Sequence, residues 1–190
     1  MKWPNGLKEI NQFYGNPRSA DGSLNMLWYQ QNIVRAQLPA AWKMFLAWDK
    51  NQKVTSIPIH KRCKESLERV LLEIWAEARI RAKDMYKAPA NLSGAPLSAW
   101  WDEKTNSVLH EHGLDLFGGS FNFRPIRGRT NLSTHGYGCS LDMNPAANQL
   151  GAQGSMPPWV VKVFEDEGWT WGGKFKKRPD FMHFQACSGY

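Results

Sequence analysis

Between Lys61 and Tyr86 the apolar residues fall at Leu67, Val70, Leu71, Ile74 and Ala78, the i, i+3, i+4, i+7 spacing of one helical face. The opposite face carries Glu65, Glu68, Arg69, Glu73, Glu77, Arg79, Arg81 and Lys83, acids before bases as the helix dipole favours. That face reads as solvated. Ala88-Pro89-Ala90-Asn91 ends the helix, and residues 92–101 read as a loop or a short helix carrying no chemistry. Near the middle of the chain the period drops to two. Cys139, Leu141 and Met143 alternate with Ser140, Asp142 and Asn144, which predicts a half-buried strand with Asp142 on its polar side. Met156-Pro157-Pro158 ahead of Trp159–Phe164 predicts a short helix ending near Gly168, and residues 180–185 read as a further strand. Gly118–Arg129 mixes strand-type aromatics with Arg124, Arg127 and Arg129. Residues 1–60, punctuated at Pro4-Asn5-Gly6, Gly15-Asn16-Pro17 and Asp21-Gly22, read as short helical or irregular segments, with Leu38–Trp48 packing into a core. The order predicts an α+β fold in which a small antiparallel sheet, packed with helices, carries the site.

With 190 residues, 42% of them hydrophobic, the chain fits one domain with a sizeable core. Residues 1–60 form its lead-in and residues 118–185 its motif-bearing part. A formal net charge of +7 draws it to polyanions, among them nucleic acid, anionic lipid and the bacterial envelope. The ten tryptophans add a nucleic-acid reading, in which aromatic platforms stack bases, but that reading leaves the histidine and aspartate pattern unexplained. Cys63, Cys139 and Cys187 are odd in number and lack C-x-x-C spacing, so buried free thiols are expected rather than a disulfide framework. The first residues have no apolar core of a secretory type, and no run approaches the ~20 apolar residues of a membrane span. A soluble monomeric product of the cytoplasm is the expectation.

Candidate chemistry concentrates in Ser133–Asp142 and Asp180–Gln185. His135, Asp142 and His183 supply two imidazoles and a carboxylate, the ligand count of a catalytic zinc site with a fourth position open. Asp180, three residues before His183, is placed to act as a base beside the ion. Gly136 and Gly138 allow a tight turn between a loop imidazole and a strand carboxylate. Cys139, three residues from Asp142 on a strand, should face away from the ion. His60, His110 and His112 read as packed or surface residues; a surface metal pair at His110 and His112 would require a strand.

The pattern S-x-H-x-x-G-x-x-L-D at Ser133–Asp142, followed by W-x-W-G-G at Trp169–Gly173 and D-x-M-H-F at Asp180–Phe184, resembles the zinc peptidases that cut bacterial cell-wall peptides. Those include D-alanyl-D-alanine carboxypeptidases, vancomycin-resistance dipeptidases and phage endolysins with L-alanyl-D-glutamate endopeptidase activity. The resemblance implies Zn2+ held by His135, Asp142 and His183, Asp180 as the catalytic base, and Arg124, or else Arg127, sharing the charge on the scissile carbonyl. Ser133 is expected to contact substrate or to orient the turn. Bacterial peptidoglycan is the implied partner, with no nucleic acid expected. Size, charge and the absent signal favour an endolysin held in the host cytoplasm until a partner opens the membrane. A periplasmic carboxypeptidase and a non-catalytic zinc-containing wall-binding module are the alternatives. Segments 85–118 and 145–158 are the expected cleft-closing loops.

Overall fold

The computed structural model describes residues 2–151 and 153–189. Helix α1 (Gly6–Tyr14) starts where the Asn5 N–H donates to Glu9 Oε2 at 2.8 Å, and it buries Ile10 and Tyr14, one turn apart. In α2 (Met26–Asn32) the side chain of Asn25 caps the first turn by accepting from the Trp28 N–H. Strands β1 (Ile33–Gln37) and β4 (Ser56–His60) pair antiparallel in a two-stranded sheet, and β2 (Met44–Leu46) and β3 (Asp49–Val54) form a hairpin between them in sequence. Then come α3 (Lys64–Met85), α4 (Gly94–Glu111), β5 (Leu116–Gly119), a 3-10 turn at Thr134–Tyr137 and β6 (Ser140–Met143). The chain closes with α5 (Pro158–Asp166), β7 (Thr170–Trp171), a 3-10 turn at Gly172–Lys174 and β8 (His183–Gln185).

The main sheet has the order β3-β2-β5-β6-β8-β7 and is antiparallel except at β2 and β5, which run parallel. Helix α3 buries Leu67, Val70, Leu71, Ile74 and Ala78 as their spacing requires, and packs against α4, β1 and α5. Its polar face is only partly left to solvent. Arg69 forks onto Glu167 with two bonds of 2.9 Å, Arg79 pairs with Asp102 of α4, and Arg81 pairs with Glu77. Phe164 of α5 stacks on Phe184 of β8, centroids 3.9 Å apart, so the back of the site strand is held by the core.

Several expectations change. Residues 92–101, expected as a loop or short helix, lead into a long helix over 94–111: the aromatic pair Trp100 and Trp101 and buried Thr105, Val108 and Leu109 pack it in place. Segment 85–118 is therefore largely helical. Residues 1–60 contribute four strands as well as two helices: β1–β4 are only three to six residues long, and β3 is exposed along most of its length, so they show little periodic signal. Within Leu38–Trp48, Trp42 and Met44 are core, whereas Trp48 is 68% exposed. His110 and His112 lie at the end of α4 rather than on a strand, and His110 bonds Asp115 at 2.7 Å. Trp3, Trp28, Trp42 and Trp169 are buried, and so are unable to stack bases.

Candidate metal centre

Asp142 and His183 meet because β6 and β8 are neighbours in register, with Asp142 directly opposite His183. Side chains opposite one another on paired strands share a face. His135 reaches the same point from the 3-10 turn. There the Ser133 Oγ accepts from the His135 N–H at 3.4 Å, and Gly138, in the left-handed region at φ 65°, closes the turn. A side chain at Gly138 would collide with Ile33 and with the backbone at His60, whose N–H donates to the Gly138 carbonyl at 2.7 Å.

Three ligand-type atoms face each other. His135 Nε2 lies 3.1 Å from His183 Nδ1, His183 Nδ1 lies 3.0 Å from Asp142 Oδ1, and His135 Nε2 lies 3.3 Å from Asp142 Oδ1. The outer ring nitrogens are already committed. His135 Nδ1–H donates to the Ser120 carbonyl at 2.6 Å, and His183 Nε2–H donates to Gln185 Oε1 at 3.1 Å. Those acceptors fix both tautomers and leave an inward lone pair on each imidazole. Two lone pairs and a carboxylate oxygen converge on one point, an arrangement a cation satisfies. Four-coordinate zinc with bonds of about 2.0–2.1 Å has ligand–ligand edges of about 3.3–3.4 Å, close to the triangle observed. Among the described residues, His135, Asp142 and His183 are the group that could hold a metal ion.

Electrostatics agree with the geometry. Burial acts to raise the Asp142 pKa, but His135 and His183 outweigh it and hold the carboxyl well below the usual range. Burial acts to lower the His183 pKa, and the hydrogen bond and charge of Asp142 reverse it. For Asp180 the balance runs the other way. Burial, reinforced by the Asp142 charge, pushes its pKa up against the pull of His183, His135 and Arg178. Its Oδ1 is buried without a hydrogen-bond partner. An unpaired carboxylate beside a cation site is poised to take a proton.

The backbone holds Asp180 in place. The Gly172 carbonyl accepts from the Asp180 N–H at 3.0 Å and from the Phe175 N–H at 3.1 Å. A Cβ at Gly172 would lie 2.4 Å from the Asp180 carbonyl oxygen, so the tryptophan-glycine motif exists for close approach of two backbones. Trp171 Nε1–H donates to the Phe181 carbonyl at 2.9 Å and braces the same crossing.

These groups line a cleft of about 1320 Å³, to which Arg124, Arg127 and Ser133 also contribute. Ser133 is buried and orients the turn through its bond to His135. Arg124 follows irregular backbone rather than an aromatic strand, since β5 ends at Gly119. Both arginines reach the cleft. Cys139 is fully buried with its Sγ donating to the Thr134 carbonyl, so it is turned from the centre. Sequence reasoning missed Ser120 and Gln185, the partners of the two histidines. Gln185 had a signal, two positions after His183 on the same strand face. Ser120 acts through its carbonyl, which any residue supplies.

An α+β fold with a two-histidine, one-carboxylate centre at the floor of an open cleft defines a candidate metallohydrolase. Residues 127–186, less than half of the chain, match the family model described as D-alanyl-D-alanine carboxypeptidase. That segment holds the three candidate ligands and Asp180, and its carboxypeptidase-like family is one of metal-dependent peptidases. Searches of curated proteins and of solved structures returned no significant match.

Proposed function

We propose that the protein is a zinc-dependent peptidase of bacterial cell-wall stem peptides, with Zn2+ held by His135 Nε2, Asp142 Oδ1 and His183 Nδ1. The observation that carries this reading is the inward triangle of lone pairs with sides of 3.0–3.3 Å, whose outer nitrogens are already hydrogen-bonded. When bound, zinc supplies a Lewis acid and brings the pKa of its water toward ~7. The residues of the chain do the rest. Asp180, with a raised pKa and a free Oδ1, takes the proton as water adds to the scissile carbonyl carbon. It then returns that proton to the leaving nitrogen as the C–N bond breaks. Arg124 or Arg127, from the cleft wall, stabilises the charge that builds on the carbonyl oxygen. The Ser120 carbonyl and Gln185 hold the two imidazoles for this work, and Ser133 braces the turn that carries His135.

Within this class we read the protein as an endolysin cutting between L-alanine and D-glutamate, working as a monomer and released from the host cytoplasm to the wall when a partner opens the membrane. Among the described residues no helix is long and apolar enough to cross a bilayer. Mass spectrometry of peptidoglycan digested with and without a chelator tests the reading. New amino termini at D-glutamate are expected; loss of terminal D-alanine would make the enzyme a carboxypeptidase. Bound zinc with no chelator-sensitive product would leave a wall-binding module.

A further inference from the structure

The cleft carries a second feature that zinc chemistry does not require. Its two rims are separate loops about fifty residues apart in sequence, and each is built by backbone bonds rather than left loose. One rim is a tight hairpin closed by the Pro125–Leu132 bridge and by the Ile126 N–H donating to the Asn131 carbonyl at 2.8 Å. Arg18 clamps it from outside, donating to the Thr130 carbonyl at 2.6 Å. This hairpin presents Arg124, Arg127 and Arg129 to the cleft. The other rim is the loop that leaves Gly172 and returns to it through the Phe175 and Asp180 N–H groups, presenting Lys176, Lys177 and Arg178.

None of these six cations has a carboxylate within salt-bridge distance among the described residues, whereas Lys174, which also lines the cleft, pairs with Glu165. The cleft's own acids are Asp142 and Asp180, both at the floor, engaged with the centre. Six unpaired cations facing one another across a groove repel one another, and an anionic occupant relieves the repulsion. Arginine forks on one rim suit carboxylates bidentately, while lysines on the other act as point charges.

Resting on the peptidase reading, we infer that this cleft selects stem peptides whose D-glutamate and following diamino acid, both on the leaving side of the scissile bond, bear free carboxylates, and discriminates against those whose carboxylates are amidated. The hairpin holds one carboxylate and the 176–178 loop the other, so the leaving half of the peptide is held between the two rims. Amidation removes a charge and leaves a guanidinium unmatched, which weakens binding without touching the chemistry at the carbonyl.

The test uses two synthetic stem peptides, identical except that the α-carboxyl of D-glutamate and the free carboxyl of the following diamino acid are amidated in one. Binding to zinc-loaded Asp180→Ala protein is measured by calorimetry at low and at 0.3 M salt, and cleavage is measured with the unaltered protein. The free-carboxylate peptide should bind at least ~10-fold tighter at low salt, an advantage that shrinks at high salt and falls toward one in the same protein carrying Lys176→Glu and Lys177→Glu. Equal binding of the two peptides overturns the inference, whatever the cleavage result. A binding difference that the Lys176→Glu, Lys177→Glu pair leaves intact also overturns the two-rim grip. A tenfold difference without any cleavage supports the selectivity and removes the hydrolytic reading instead.

Discussion

At the scale of single residues, Asp180 and His60 show how burial sets function in opposite ways. Asp180 keeps a free oxygen beside the centre, and general acid–base catalysis contributes roughly 10²–10⁴-fold. Asp180→Ala should therefore lower kcat by at least ~100-fold with zinc content unchanged, measured by kinetics and elemental analysis; a wild-type rate would remove the assignment. His135→Ala or His183→Ala should lose metal and activity together. His60 is buried near Tyr14 and Trp28, donating through Nε2 to the Tyr14 carbonyl at 3.1 Å, with burial depressing its pKa to about 4 from 6.5. A base with a depressed folded pKa is neutral when folded and binds protons more readily when unfolded. Its contribution is thus intact above pH 6.5 and is lost as pH falls from 6.5 toward 4, a loss on the order of 3 kcal/mol. Urea unfolding midpoints across that range should fall more steeply for wild type than for His60→Gln; parallel slopes would show that His60 does not carry the effect.

At the scale of elements, strand pairing converts distant motifs into a site. The α3 pattern, the β6 alternation and the His135, Asp142 and His183 set were legible because each obeys a period or a motif that local geometry dictates. Helix α4 was not, since Gly94, Pro96 and its scattered aromatics hide the apolar face, and its stability comes from packing on α3. Strands β1–β4 were hidden because they are short; β3 is exposed along all but its last residue. Their register depends on partners far away in sequence. The charges of α3 read as solvated, yet Glu167 joins Arg69, Ser66 and the end of α5 in one knot. Glu167→Ala should cost about 1 kcal/mol, given how exposed Arg69 is, read as a lower thermal midpoint with kcat unchanged. Gln185→Ala, which frees the outer nitrogen of His183, should weaken zinc affinity by about 10–100-fold, measured by competition with a chromophoric chelator.

At the scale of the whole molecule, the centre ties the strands of the main sheet to the 3-10 turn, so occupancy and stability are linked. Zinc that binds only the folded chain should stabilise it by about 4 kcal/mol at a thousandfold excess over Kd, seen as a rise in thermal midpoint that a chelator reverses. The three thiols, Cys63, Cys139 and Cys187, are free and at most 1% exposed, and burial pushes the Cys63 pKa up to about 12. A thiol reagent applied to the folded protein should leave them unmodified and activity intact; rapid loss of activity would place a thiol nearer the metal than its burial allows.

The single oxygen of Gly172 that receives both ends of the basic loop sets a rule for how this protein can change. Residues 176–179 are held at either side by that oxygen, not by their own side chains, so the fold tolerates substitution there and only the substrate grip asks for cations. Their number cannot change. One residue added or removed would draw Asp180 off its N–H bond and away from the centre, so related chains should differ there by substitution and never by insertion, and charge in that loop can be retuned in the laboratory at constant length.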